Sequence, residues 1–92
     1  MSRVRLQIYY AGRVQGVGFR YTVKSLVAGF DVVGLVRNLP DGRVELVAEG
    51  ARAELEAFRA AVRDSGVGRL IAGEQAAWGA ATQEFRGFEI VR

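Results

Sequence analysis

Ninety-two residues make one small domain, and with half of them hydrophobic the chain builds a core without disulfides or structural metals. Histidine and cysteine are both absent, which excludes a thiol nucleophile, a zinc-finger pattern and a histidine general base. A net charge of +3, with twelve of the thirteen basic residues arginines scattered along the chain, fits small anionic partners better than a long polyanion.

The start, Met1-Ser2-Arg3-Val4-Arg5, lacks the apolar run of a signal peptide, and no stretch approaches the ~18 apolar residues of a membrane span. A cytoplasmic protein with no membrane partner is the expectation. Val4 to Tyr10 alternates apolar and polar side chains with period two, the pattern of a strand with one buried face. A glycine loop follows. Beyond it Phe19, Val23, Leu26, Val27 and Phe30 recur at helical spacing, and the helix should end near Gly29 in a left-handed cap. Val32 to Arg37, rich in β-branched residues, reads as the second strand.

Leu39-Pro40-Asp41-Gly42 is a turn: proline presets one dihedral, and glycine takes the positive φ that closes a bulged hairpin. Arg43 to Glu49 alternates again as a third strand. Ala51, Leu55, Phe58 and Val62 line a second helix between Ala51 and Asp64, stopped by Ser65-Gly66. Leu70 to Trp78 reads as the fourth strand, and Phe88 to Val91 as a short terminal one, an edge or a continuation. The order βαββαβ predicts a ferredoxin-like α/β sandwich, an antiparallel sheet with two helices on one face, as a single domain over 1–92.

The loop before the first helix raises a chemical question. Gly16 and Gly18 let the backbone approach a ligand, and a helix start offers N–H groups with no intrahelical partner. Arg20 adds a permanent positive charge where the helix dipole is already positive. That placement is unfavourable unless an anion occupies the space, and the planar guanidinium suits phosphate. Neither a P-loop nor a dinucleotide fingerprint is present. Asn38, before the turn, admits two readings: a turn residue, or a carboxamide that accepts from a water and donates to an oxyanion. In such a ferredoxin-like fold the first and third elements of the chain should lie side by side, which would bring the end of the second strand near the glycine loop.

The blocks Gly12-Arg13-Val14-Gln15-Gly16-Val17-Gly18-Phe19-Arg20 and Gly34-Leu35-Val36-Arg37-Asn38-Leu39-Pro40-Asp41-Gly42 resemble the two signature segments of the acylphosphatase family. Arg43 to Gly50 and Gly87 to Val91 are similar to it as well. The resemblance implies a ferredoxin-like sandwich that hydrolyses the carboxyl–phosphate anhydride of small acyl phosphates to carboxylate and inorganic phosphate. It also implies that Arg20 binds phosphate, that Asn38 positions water, and that Gln15, Gly16, Val17, Gly18 and Phe19 supply the phosphate cradle. No cofactor and no metal are expected, nor a nucleic-acid partner, and a monomer is the expectation. Leu35 stands where many members carry tryptophan, Leu39 where some carry threonine, and residues 66–86 match less well.

Such an enzyme needs little from its side chains. A carboxylate whose conjugate acid has a pKa of about 4 leaves without a general acid, and phosphoryl transfer rests on positioning and charge stabilisation. Two rivals remain at this point. An RNA-binding module would stack bases on Tyr9, Tyr10 and Tyr21, although the RNP1 pattern is missing. A non-catalytic acylphosphatase-like domain would keep the loop without the hydrolysis.

Overall fold

The computed structural model describes residues 2–92. Strands β1 (Val4–Gly12), β2 (Val32–Asn38), β3 (Val44–Gly50), β4 (Ile71–Ala80) and β5 (Phe88–Val91) alternate with helices α1 (Phe19–Leu26) and α2 (Arg52–Asp64). They form one sheet in the order β4-β1-β3-β2-β5. The first four strands pair antiparallel, as expected for the ferredoxin-like fold, while β5 lies parallel to β2 and makes the sheet mixed. The terminal segment is therefore an edge strand. Among the described residues no helix is long and apolar enough to cross a membrane.

Period-two alternation does the sorting. Leu6, Ile8 and Tyr10 of β1, Val32 and Val36 of β2, and Val44, Leu46 and Ala48 of β3 are buried together with Phe19 and Val23 of α1 and Leu55, Phe58 and Val62 of α2. Each large apolar side chain so buried contributes about 1.5–3 kcal/mol. Phe58 is the hub of the helix layer, 5.5 Å from the Phe30 ring and 6.0 Å from the Phe88 ring. Burial, reinforced by the Glu74 carboxylate, pushes the Tyr10 phenol well above its ordinary range, so it stays protonated.

Three expectations change. Gly29 takes no left-handed conformation; α1 instead tightens into a 3-10 turn over Val27–Gly29, which Phe30 N–H closes by donating to Val27 O. The neighbours of β1 are β3 and β4, so the third element of the chain, β2, is one strand removed from β1. The fourth strand starts at Ile71, because Gly68–Leu70 forms another 3-10 turn.

The outer face of β3 carries two carboxylates that are nevertheless buried, Glu45 and Glu49. Segment 81–84 crosses beneath Glu49 and satisfies it: Thr82 N–H and Gln83 N–H donate at 2.8 and 2.9 Å, Thr82 Oγ1 at 3.0 Å, and Arg5 Nη1 at 3.5 Å. Glu45 accepts from Gln7 Nε2 and Arg37 Nε, both at 2.6 Å. Burial raises both carboxyls, but these donors outweigh it and hold them below the usual range; Arg63 and Arg59 do the same for Glu74.

A group with a depressed folded pKa stabilises the fold fully above its unfolded pKa, about 4.3 for glutamate, and loses that contribution as pH falls through the folded value. Stability should therefore be flat near neutrality and decline in acid below that point. Glu49→Gln places an amide NH₂ against N–H donors and should cost about 1–3 kcal/mol at neutral pH. Its acid decline should be shallower than the parent's. Urea melts of both proteins from pH 7 to 3 measure this; parallel curves would show that Glu49 is not among the carboxylates responsible.

Candidate active site

The loop between β1 and α1 is fixed at both ends and clipped in the middle. Val14 at one end and Phe19 at the other are buried, and the Phe19 ring packs 5.1 Å from that of Tyr10. Between them Gln15 Nε2 donates to Leu39 O at 2.7 Å and to Arg43 O at 2.9 Å. The loop is thus bolted to the β2–β3 hairpin. That hairpin closes as the sequence predicts: Leu39 N–H donates to Arg43 O, Gly42 N–H to Leu39 O, and Gly42 has φ +96°.

Gly16 and Gly18 have φ +76° and +79°, a region costly for any other residue, and a Cβ on either would meet nothing within 4 Å. The two glycines are thus demanded by the backbone path, and the space beside them is open. Gly18 is also the N-cap of α1. It offers no side-chain cap, and no acidic residue stands in the first turn. The first N–H groups of α1 have no carbonyl partner within the helix. No side chain of the first turn compensates their dipole, and the residues that carry them, Phe19, Arg20 and Tyr21, line a cavity.

That cavity, about 170 Å³, is lined by Val14, Gly16, Gly18, Phe19, Arg20, Tyr21, Asn38 and Ile90. Arg20 and Asn38, which are 18 positions apart in the sequence, share its wall. Six of the twelve arginines pair with carboxylates among the described residues: Arg5, Arg37, Arg43, Arg52, Arg59 and Arg63. Arg20 forms no ion pair among the described residues; its one side-chain hydrogen bond among them is a long donation, 3.5 Å, from Nη1 to Val91 O. Lys24, a turn later, donates to Phe88 O at 2.7 Å and ties α1 to β5. Asn38 ends β2 opposite Val44 on the helix side of the sheet. Its Oδ1 is buried with no hydrogen-bond partner among the described residues. A buried acceptor left open costs about 1–3 kcal/mol unless a water or ligand donates to it.

Of the residues expected to cradle phosphate, Gly16, Gly18 and Phe19 line the cavity. The Gln15 side chain is spent on the hairpin, and Val17 projects to the surface, 38% exposed. Both leave only a backbone amide for a ligand. Sequence reading missed Val14 and Ile90 as lining residues, and met Tyr21 only as a base-stacking candidate. No local motif marks Ile90; the parallel pairing of β5 with β2 brings it in, opposite Val36. The three tyrosines do not share a surface. Tyr9 lies under the Arg43 guanidinium at 4.7 Å, Tyr10 is buried in the core, and Tyr21 is exposed on α1. Among the described residues no three acidic side chains gather into a metal-binding group.

A sequence model of the acylphosphatase family matches residues 6–90. An acylphosphatase from Acidothermus cellulolyticus is 44% identical over 90 residues, an alignment covering 95% of this chain and 86% of that one. The crystal structure of acylphosphatase from Bacillus subtilis superposes with a TM-score of 0.88 at 34% identity, covering 97% of this chain and 99% of that one. Full-length HypF, in a phosphate- and nucleotide-bound form, contains a similar unit: TM-score 0.84 and 26% identity, covering 98% of this chain but 12% of HypF. With the strand order, the glycine loop and the family match in agreement along nearly its whole length, the chain belongs to the acylphosphatase family of hydrolases.

Proposed function

We propose that this protein hydrolyses small acyl phosphates by holding the phosphoryl group between Arg20 and the loop amides of residues 15–19 while Asn38 positions the attacking water. The observation that carries this reading is the open, buried Oδ1 of Asn38, in the same cavity as an unpaired arginine and an uncapped helix start. The guanidinium fork and the N–H groups neutralise the phosphoryl oxygens, and Asn38 accepts a hydrogen bond from the water that attacks phosphorus in line. The P–O bond to the carboxylate breaks as the bond from water forms. The electron pair leaves with the carboxylate, and the proton of the water passes to a phosphoryl oxygen. No protein base is required.

Because charge stabilisation comes from Arg20 and backbone dipoles, turnover should not need a metal. Purified protein is expected to release phosphate from benzoyl phosphate at the same rate with and without EDTA, and to leave ATP and phosphomonoesters nearly untouched, since their leaving groups are far more basic. Activity that disappears with EDTA and returns with magnesium would overturn the mechanism. Absence of hydrolysis together with phosphate binding would favour the non-catalytic reading.

A further inference from the structure

The glycine loop and Asn38 reach one cavity from strands that do not touch, because β3 lies between β1 and β2. Two strand pairings would set their separation unless something joined them directly. One side chain does. Among the described residues, residues 14–18 hydrogen-bond to the rest of the fold through the Gln15 carboxamide, apart from Gly18 O, which accepts from Thr22 N–H at the start of α1. Gln15 Nε2 has two protons and spends both, on Leu39 O at 2.7 Å and Arg43 O at 2.9 Å. These two carbonyls are also the ones that close the hairpin. Leu39 O accepts from Gly42 N–H at 3.1 Å, and Arg43 O from Leu39 N–H at 2.8 Å. Asp41 Oδ1 accepts from Arg43 N–H at 3.0 Å and braces the same turn. Gln15 thus grips the hydrogen-bonded base of the turn, and Leu39 follows Asn38 directly in the chain.

We propose that Gln15 is a positioning residue, whose side chain fixes the distance from the loop amides to Asn38 and so the line along which water attacks phosphorus. This rests on the roles proposed above for Arg20, the loop and Asn38. Phosphate binding calls on Arg20 and the loop, which both belong to the β1–α1 side of the cavity. Attack calls in addition on Asn38, which comes from β2. A displacement of ~1 Å between the two sides leaves the first intact and costs the second about a hundredfold. The loop itself does not depend on the clip for its path, since Val14 and Phe19 are buried at its ends and Gly16 and Gly18 supply its positive φ.

Gln15→Met keeps the length of the side chain and removes both donors. Leu39 O and Arg43 O each retain their hairpin partner, so the variant should fold, which urea melts check. Its kcat for benzoyl phosphate should fall roughly ten- to a hundredfold, while the inhibition constant of inorganic phosphate stays within about threefold of the parent's. Gln15→Asn, a methylene too short to reach both carbonyls, should show the same split. The decisive measurement repeats Gln15→Met in an Asn38→Ala background. A residue that acts through Asn38 has nothing left to position there, so kcat should fall by less than about twofold further. A merely structural role would cost the full factor in both backgrounds, and that additivity overturns the proposal. Parent-like kcat in Gln15→Met overturns it too, as does phosphate inhibition lost in step with kcat, which would make Gln15 part of the cradle. Near-normal kcat in Asn38→Ala alone would remove the reading of Asn38, and a parent inactive on benzoyl phosphate the hydrolase reading, each taking the proposal with it.

Discussion

Arg20→Ala is expected to lose both phosphate binding and nearly all turnover, the largest effect of any single substitution in this protein. On the proposed mechanism the guanidinium contacts the phosphoryl group before and during transfer, so its loss should raise the inhibition constant of inorganic phosphate as well as lower kcat. Arg20→Lys should not rescue, since a single ammonium cannot reproduce a planar fork. The empty protein should show the other side of the arrangement. Arg20 adds charge to the positive end of α1 with only a long contact to Val91 O in return. Removing it as Arg20→Gln should relieve about 0.3–1 kcal/mol at low salt, which for a domain of this size is worth ~4–8 °C per kcal/mol in Tm. Added phosphate should stabilise the parent by binding its folded form, and the variant much less. Melts of the two proteins across a phosphate series at constant ionic strength should therefore converge and cross. Equal responses to phosphate would remove Arg20 from the site.

Asn38→Ala should separate binding from chemistry. Inorganic phosphate should inhibit and stabilise this variant as it does the parent, because the Arg20 end is untouched. Its kcat should fall by about 2.7–4 kcal/mol in transition-state terms, the range for losing one positioned polar group, or roughly a hundred- to a thousandfold. Stability should change little or rise, because the substitution removes a buried acceptor that no group among the described residues satisfies. An Asn38→Ala variant with near-normal kcat would reduce the residue to the end of a strand. One with lost stability and normal kcat would assign it to the hairpin.

Local chemistry made much of this architecture readable. Alternation in Val4 to Tyr10, the three- and four-residue spacing from Phe19, and Pro40-Asp41-Gly42 each report a backbone geometry fixed within a few residues, and each recurs in the structure. The two signature blocks carried the family, because glycines at positive φ and a hairpin glycine leave a trace in the sequence. What stayed hidden depends on contacts distant along the chain. Glu45 and Glu49 alternate like solvent-facing residues, yet they are buried, since Arg37, Gln7 and segment 81–84 close over them. Gln15 read as a cradle residue through its backbone; its side-chain bonds to Leu39 and Arg43 depend on where the hairpin folds back. Ile90 belongs to the site only because β5 joins the sheet parallel to β2.

The route by which Asn38 reaches the glycine loop also bears on how the protein acquires activity as it folds. The loop follows β1 and Asn38 ends β2, yet these strands touch only through β3, so the site requires β1 to pair with β3 across Val4↔Gly50 to Tyr10↔Val44. That pairing closes a long stretch of chain, and such non-local contacts are costly in entropy and slow to form. On the proposed mechanism, a hairpin of β2 and β3 alone, or β1 with α1 alone, holds one half of the site and none of the chemistry. Catalysis therefore reports on the assembled sheet, and regain of activity during refolding follows the formation of its central strand pair.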